Sequence, residues 1–340
     1  MSNPNFENLL AVLRRQRPDR PTLFEFFLNE SFCERLIGEP VADRGALGFV
    51  ACTPERALAF TNAGYDYLTV AGSELMFYDI PEQDHQTISL NACHLISDRD
   101  SFDNYPWPDP DGCDYSRLAG AVDFLPKGMK LIVCGPGGVL ENAIQMVGYE
   151  VLCMMLIDDP DLAAEIFSAI GRRLMRYYEL CVQFPTVGAL IVNDDWGFKT
   201  QTMLSPEDMR RYVFPWHRNI VEIIHSSDKP AILHSCGKLT EVMDDIIEVM
   251  GYDAKHSYED TIEPVEQAYE HWGHRIAILG GIDMDFICRS APSEVTARCR
   301  AILSQTDARG GYGLGTGNSV PEYIPYDNYI AMIETATSTR

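Results

Sequence analysis

Short apolar runs rich in branched residues recur along the chain. Each ends in glycine or a polar residue and is followed by a segment of helical period. That alternation is the signature of repeated βα units. The runs are Pro21–Phe27, Asp66–Ala71, Lys130–Gly135, Ala189–Asp194, Pro230–Cys236, Asp253–Ser257, Ile276–Asp283 and Gly311–Gly317. The segments between them carry start and stop signals. Thr53-Pro54-Glu55 opens a helix that Gly64 ends. Asp159-Pro160 opens another, with Leu162, Ile166, Phe167, Ile170 and Leu174 on one face. Ser205-Pro206-Glu207-Asp208 starts a third, close to a capping box, with Met209, Tyr212, Val213, Trp216, Ile220, Ile223 and Ile224 inward. A stripe of Val242, Met243, Ile246, Ile247 and Met250 closes at Gly251, and Pro264, Pro292 and Pro325 mark three further starts.

Eight strands alternating with helices fit either a closed (β/α)8 TIM barrel or a doubly wound open sheet. No strand is followed by G-x-G-x-x-G or G-x-x-x-x-G-K-[ST], so the usual nucleotide-binding reason for an open sheet is missing. The pattern predicts an α/β barrel, a single domain over residues 1–340 with a helical extension at about 1–20. Regular spacing fails once, in an insertion at about 72–128. It holds an alternating piece, Thr87–Leu95, and an acidic, turn-rich piece from Asp98 to Gly112 with Tyr105 and Trp107. A loop of this length with aromatic residues is expected to be a lid, a pocket wall or a subunit contact.

Charge narrows the partners. Fifty acidic residues against 27 basic ones leave a formal charge of −23, which repels nucleic acid and anionic membrane surfaces. There is no stretch of 18 apolar residues, and the N-terminus lacks the basic-then-apolar pattern of a signal peptide, so a cytoplasmic location is expected. Ten scattered cysteines with no C-x-x-C pair are expected to be reduced, most of them as small core residues.

In a parallel barrel the reaction centre lies where the strands end. The polar residues there are Glu25, Asn193, Asp194, Asp195, His234, Cys236, His256, Glu259, Asp283, Thr316 and Asn318. His234 and Cys236 are two apart on a strand, so both face one side and could grip a zinc ion; Glu259 is the candidate third ligand and His256 a poorer one. A hydrogen-bonded histidine beside a buried thiol accounts for the same pair. Asp194 and Asp195 are adjacent carboxylates, of which one is expected to hold a proton for acid–base work or to cap a helix. The glycines of Leu279–Asp283 and Gly313–Asn318 expose amides to an anionic ligand, or simply turn the chain.

Taken together, Pro230–Lys238, Asp194-Asp195-Trp196-Gly197, the Ser205-Pro206 helix, Leu279–Asp283, Gly315–Pro321 and the Trp107–Pro110 loop resemble the uroporphyrinogen decarboxylase superfamily. The resemblance is clearest from about Pro106 to Met332. It implies a (β/α)8 barrel that is either a decarboxylase or a cobalamin-dependent methyltransferase. The decarboxylases carry an arginine-rich R-Q-A-G-R-Y motif that binds tetrapyrrole carboxylates. Here Phe24–Glu30 contains no arginine, and a polyanion would meet acidic groups. The methyltransferase branch binds zinc through H-x-C on the fifth strand and a cysteine on the eighth. His234 and Cys236 match the first part, but Thr316 stands where the cysteine is expected and none follows Cys299.

The resemblance therefore implies methyl transfer between a corrinoid, free or on a partner corrinoid protein, and a small acceptor such as tetrahydrofolate or a thiol. Asp194, His234 and Asp283 are the expected catalytic residues; Glu25, Asn193, Asp195, Cys236, Thr316 and Asn318 are expected to contact substrate. His234, Cys236 and Glu259 are the expected zinc ligands. A decarboxylase and a non-catalytic corrinoid-binding barrel are the alternatives.

Overall fold

All eight expected strands form, most of them shorter than the apolar run that announced them. They are β1 (Thr22–Leu23), β2 (Tyr67–Ala71), β3 (Lys130–Cys134), β4 (Val187–Asn193), β5 (Ala231–His234), β6 (Ala254–His256), β7 (Ala277–Leu279) and β8 (Tyr312–Leu314). The computed structural model describes residues 3–41, 45–78, 90–91 and 95–338. Every pairing is parallel, in the order β1-β8-β7-β6-β5-β4-β3-β2. A doubly wound sheet reverses its order at a switch point. This one does not, and it curls into a (β/α)8 barrel.

Burial on both faces explains the continuous apolar strands. Leu131, Ile132, Val133, Leu190, Ile191, Ile232, Leu233 and Ile278 are all fully buried. The ladder does not continue between β1 and β2, and a side chain bridges them instead. The Tyr67 hydroxyl accepts the Glu25 amide at 2.6 Å and donates to the Glu25 carbonyl at 2.7 Å.

The helix punctuation holds. Thr53 caps Pro54–Ala63, and Gly64 ends it at φ 96°. Asp159 caps Pro160–Cys181, and Ser205 caps the helix that starts at Pro206. Within the expected N-terminal extension, Phe6–Leu13 is helical and capped by Asn5.

Most of the alternating piece Thr87–Leu95 lies outside the described residues. The acidic piece packs on the helix Pro160–Cys181: Arg173 lies 4.8 Å over the Trp107 ring, its Nε donates to the Pro108 carbonyl, and Arg176 pairs with Asp111. The Tyr105 hydroxyl reaches the Phe77 carbonyl. Phe77, Leu75 and Met76 line an apolar cavity of about 250 Å³ above Gly135 and Tyr177. The insertion is thus a wall at the β2–β3 side of the mouth. No single helix among the described residues is long and apolar enough to cross a membrane. The cysteines described are all free thiols; Cys93 lies outside the described residues.

Tyr67→Phe leaves a buried amide and carbonyl of Glu25 unpaired at the seam. It should cost about 1–3 kcal/mol in urea denaturation, whereas Tyr323→Phe on the surface should be neutral.

Candidate active site

Strand register assembles the centre. Asn193 on β4, His234 on β5, His256 on β6 and Leu279 on β7 are paired in one row. Side chains in register on neighbouring parallel strands point the same way. Accordingly, His234 Nδ1 and His256 Nδ1 lie 2.8 Å apart. Phe26 and Phe24 pack on the two imidazoles at ring distances of 4.6 and 5.1 Å, and both rings are buried. Burial pushes His234 down to about 4 and His256 well below its ordinary value, and both are neutral at physiological pH.

Neutrality fixes the tautomers. His256 Nε2 faces the Thr316 carbonyl at 3.4 Å, an acceptor only, so it carries the proton. His256 Nδ1 is then a lone pair that accepts from His234 Nδ1. His234 Nε2 is left as an acceptor lone pair, 3.9 Å from the Cys236 sulfur.

Asp195 joins them. Its Oδ1 accepts the Cys236 amide at 2.8 Å, and ligand atoms of Asp195, His234 and Cys236 all lie within 4.8 Å of one another. The sulfur also receives Ser257 Oγ at 3.3 Å and Asn318 Nδ2 at 3.4 Å. Ser257 makes its contact from a left-handed backbone at φ 84°, unusual for a residue with a side chain. Two loops must touch to allow this arrangement. A Cβ on Gly237, at φ 87°, would lie 2.1 Å from the Gly197 carbonyl oxygen.

Other expectations need correction. Asp194 is fully buried: its oxygens accept the Leu140 and Glu141 amides at 3.0 and 2.8 Å, and His217 Nε2 lies 2.8 Å away. It caps the helix Val139–Val147 and cannot reach a ligand. Asp283 caps Met284–Arg289 through Phe286 N and also accepts Asp260 N, and it lies in the wall of the cavity that Asn318 borders. Glu259 is outside the ligand cluster, and Asp195 takes the place expected for it. Glu25 and Thr316 are fully buried and bound to each other, so neither contacts a ligand. Asn193 Oδ1 accepts the Gly135 amide. The amides of Gly280, Gly281, Ile282 and Gly317 all donate to backbone carbonyls, so the glycine runs are turns, not an anion cradle. Asn318 does border open space, a cavity of about 890 Å³ with Phe27, Lys199, Glu259, Met284 and Tyr323.

Sequence reasoning missed two titratable groups. Glu141 accepts the amides of Gly138 and Asp195, and burial, aided by the charges of Asp195 and Asp194, pushes its carboxyl up to about 8. Its position three residues after Gly138 in a capping box is the signal that could have found it. Lys255 is buried behind the sulfur; its Nζ donates to the Ser257 carbonyl at 2.7 Å and lies 4.2 Å over the Tyr258 ring. Burial pushes it down to about 8.

The fold and this centre define a barrel enzyme family. The pattern of the uroporphyrinogen decarboxylase (URO-D) family matches residues 94–339, and the chain belongs to that family. A uroporphyrinogen decarboxylase of Koribacter versatilis is 29% identical over 129 residues, 37% of this chain and 34% of that one. One from Geobacter sulfurreducens is 24% identical over 184 residues, covering 53% and 50%. The chain thus spans between a third and a half of the length of these curated relatives. Among solved structures, a methyltransferase from Methanosarcina mazei superposes with a TM-score of 0.67 at 14% identity, covering 97% of each chain. A putative vitamin-B12 independent methionine synthase from Listeria monocytogenes gives 0.53 at 10% identity, covering 95% and 99%. At such identities the likeness is one of fold.

Asp194→Ala strips the helix cap and leaves His217 without its carboxylate. It should lower unfolding free energy by about 3–5 kcal/mol, while Asp195→Ala, half-buried, should cost about 1 kcal/mol in the same denaturation series.

Proposed function

We propose that the chain is a methyltransferase that moves a methyl group between a corrinoid and a small thiol acceptor, with zinc held by Asp195, His234 and Cys236. The observation that carries the reading is the convergence of three ligand atoms of different side chains, with His234 Nε2 presenting its lone pair toward the Cys236 sulfur. The set fits zinc. Zn–N of about 2.0–2.1 Å and Zn–S of about 2.3 Å place neighbouring tetrahedral ligands roughly 3.6 Å apart, close to the 3.9 Å between His234 Nε2 and the Cys236 sulfur. Three protein ligands also match the catalytic pattern that leaves a fourth position open.

A zinc ion there would hold an acceptor thiol as its thiolate at neutral pH, and a methyl-corrinoid would supply the methyl as a formal cation, leaving as cobalt(I). The chain's own residues do the rest. Ser257 and Asn318 donate to the Cys236 sulfur and orient it, and such outer partners tune ligand strength. Lys255 places a positive charge behind the sulfur and Asp195. The cavity beside Asn318 is large enough for a small acceptor. With Asp195 as third ligand, a thiol acceptor does not require the missing eighth-strand cysteine. The fold shared with the Methanosarcina mazei methyltransferase accords with this reading.

Decarboxylation is the second reading, favoured by one observation. Glu141 is a neutral acid at pH 7 lying against Asp195, a proton donor of the kind that decarboxylation needs.

Purified protein should contain stoichiometric zinc that is lost in Asp195→Ala and Cys236→Ala and kept in Glu259→Gln. Ser257→Ala should weaken zinc affinity about 10–100-fold. In anaerobic absorbance assays, methylcob(III)alamin should yield cob(I)alamin with a small thiol. No cobalt(I) with any thiol or with tetrahydrofolate would end the transferase reading. Carbon dioxide released from a carboxylated tetrapyrrole without corrinoid would establish the decarboxylase.

A further inference from the structure

Glu25 is a buried acid that the proposed chemistry leaves unused. Its Oε1 accepts the Thr316 amide at 2.7 Å, and its Oε2 lies 2.8 Å from the Thr316 hydroxyl. The same hydroxyl is 2.8 Å from the Asn318 backbone carbonyl. A hydroxyl has one proton, and a carbonyl can only accept. If both contacts are hydrogen bonds, the Thr316 proton goes to Asn318 and Glu25 supplies a proton of its own to the Thr316 oxygen. An ionised Glu25 would claim the Thr316 proton and leave the Asn318 carbonyl facing a lone pair.

The surroundings favour the neutral acid. The turn lies directly on β1: a Cβ at Gly315 would sit 1.7 Å from the Phe24 carbonyl oxygen, so no water separates them. The titratable groups facing Glu25 are Tyr65 and Tyr67 at β2, Tyr312 on β8 and Tyr329 on the helix Tyr326–Ser338. Burial drives each tyrosine well above its ordinary value, so all four are neutral. Burial pushes Glu25 itself up to about 8, against the pull of the two Thr316 hydrogen bonds.

We propose that Glu25 is a positioning residue, present as the neutral acid, whose proton runs through the Thr316 hydroxyl to the Asn318 carbonyl. It thereby fixes the turn that sets the Asn318 amide against the Cys236 sulfur. Only the importance of that sulfur rests on the methyltransferase reading; the proton arrangement stands without it. Above its ionisation point two acceptors compete for one proton, and the turn loosens.

Glu25→Gln tests this, because its amide nitrogen donates to Thr316 and its carbonyl accepts the Thr316 amide at every pH. An infrared titration of metal-free protein in D2O should show a protonated carboxyl band that disappears with a midpoint near pH 8 and is absent in Glu25→Gln. Glu141, also raised to about 8, contributes a band of similar midpoint to both proteins, so the Glu25 band is read from the difference between wild type and Glu25→Gln. Hydrogen exchange of the Gly315–Ser319 peptide, normalised to intrinsic rates, should lose protection above that pH in wild type and not in the glutamine variant. Thr316→Val should lose protection at every pH.

The sign for stability follows. Glu25 is raised from 4.5 to about 8, so the native state keeps a proton that the unfolded chain releases. Wild type should therefore lose stability relative to Glu25→Gln as pH rises from about 4.5 to 8, with no further divergence beyond. A missing Glu25 band near neutral pH, or the same pH course in both proteins, would overturn the proposal. Since no readout uses metal or corrinoid, failure of the methyl assay alone would remove only the function reading.

Discussion

Two imidazole nitrogens 2.8 Å apart can share only one proton, and that constraint at His234 and His256 organises the mouth of the barrel. Register brings the rings together, and the Thr316 carbonyl decides which way the single proton points. Everything downstream inherits that direction. His234 offers its outer nitrogen as an electron pair, and Cys236 and Asp195 lie beside it. Upstream, Thr316 is itself held by Glu25. One polar line therefore crosses from β1 through β8 and β6 to β5 on a floor otherwise made of aromatic rings.

Frame and centre are separated by the pleat. Successive side chains on extended backbone point to opposite sides, and Asp194 and Asp195 divide accordingly. Asp194 ties β4 to the helix Val139–Val147 and to His217. Asp195 turns to the cysteine amide. Desolvation then sets the charges: Glu25 and Glu141 keep protons that exposed carboxyls would lose, and Lys255 holds its proton less tightly than a lysine in water.

Much of this was legible in the sequence. The eight strands, the Thr53, Asp159 and Ser205 caps and the His234–Cys236 pair all follow from periodicity and turn chemistry, which are local. What was hidden depends on contacts between distant segments. Nothing in Asn193-Asp194-Asp195 says which carboxylate a helix more than fifty residues earlier will claim. Glu259 follows β6 by three residues and Asp195 follows β4 by two, and only the folding of the two loops tells them apart. Lys255 lies inside a three-residue strand, and nothing local marks it as buried against Ser257 and Tyr258. Glu25, read as a substrate contact, lies beneath Gly315, whose missing side chain admits the approach.

Ser257 gives the centre a mechanical aspect. A side-chain residue at φ 84° costs about 1–3 kcal/mol, and here the lysine bond to its carbonyl and the hydroxyl contact with sulfur hold it in place. The backbone beneath Cys236 thus behaves as a cocked spring rather than a relaxed support. A ligand that draws the sulfur away from the hydroxyl would remove one of the two contacts that hold Ser257 in this backbone, one residue past the end of β6.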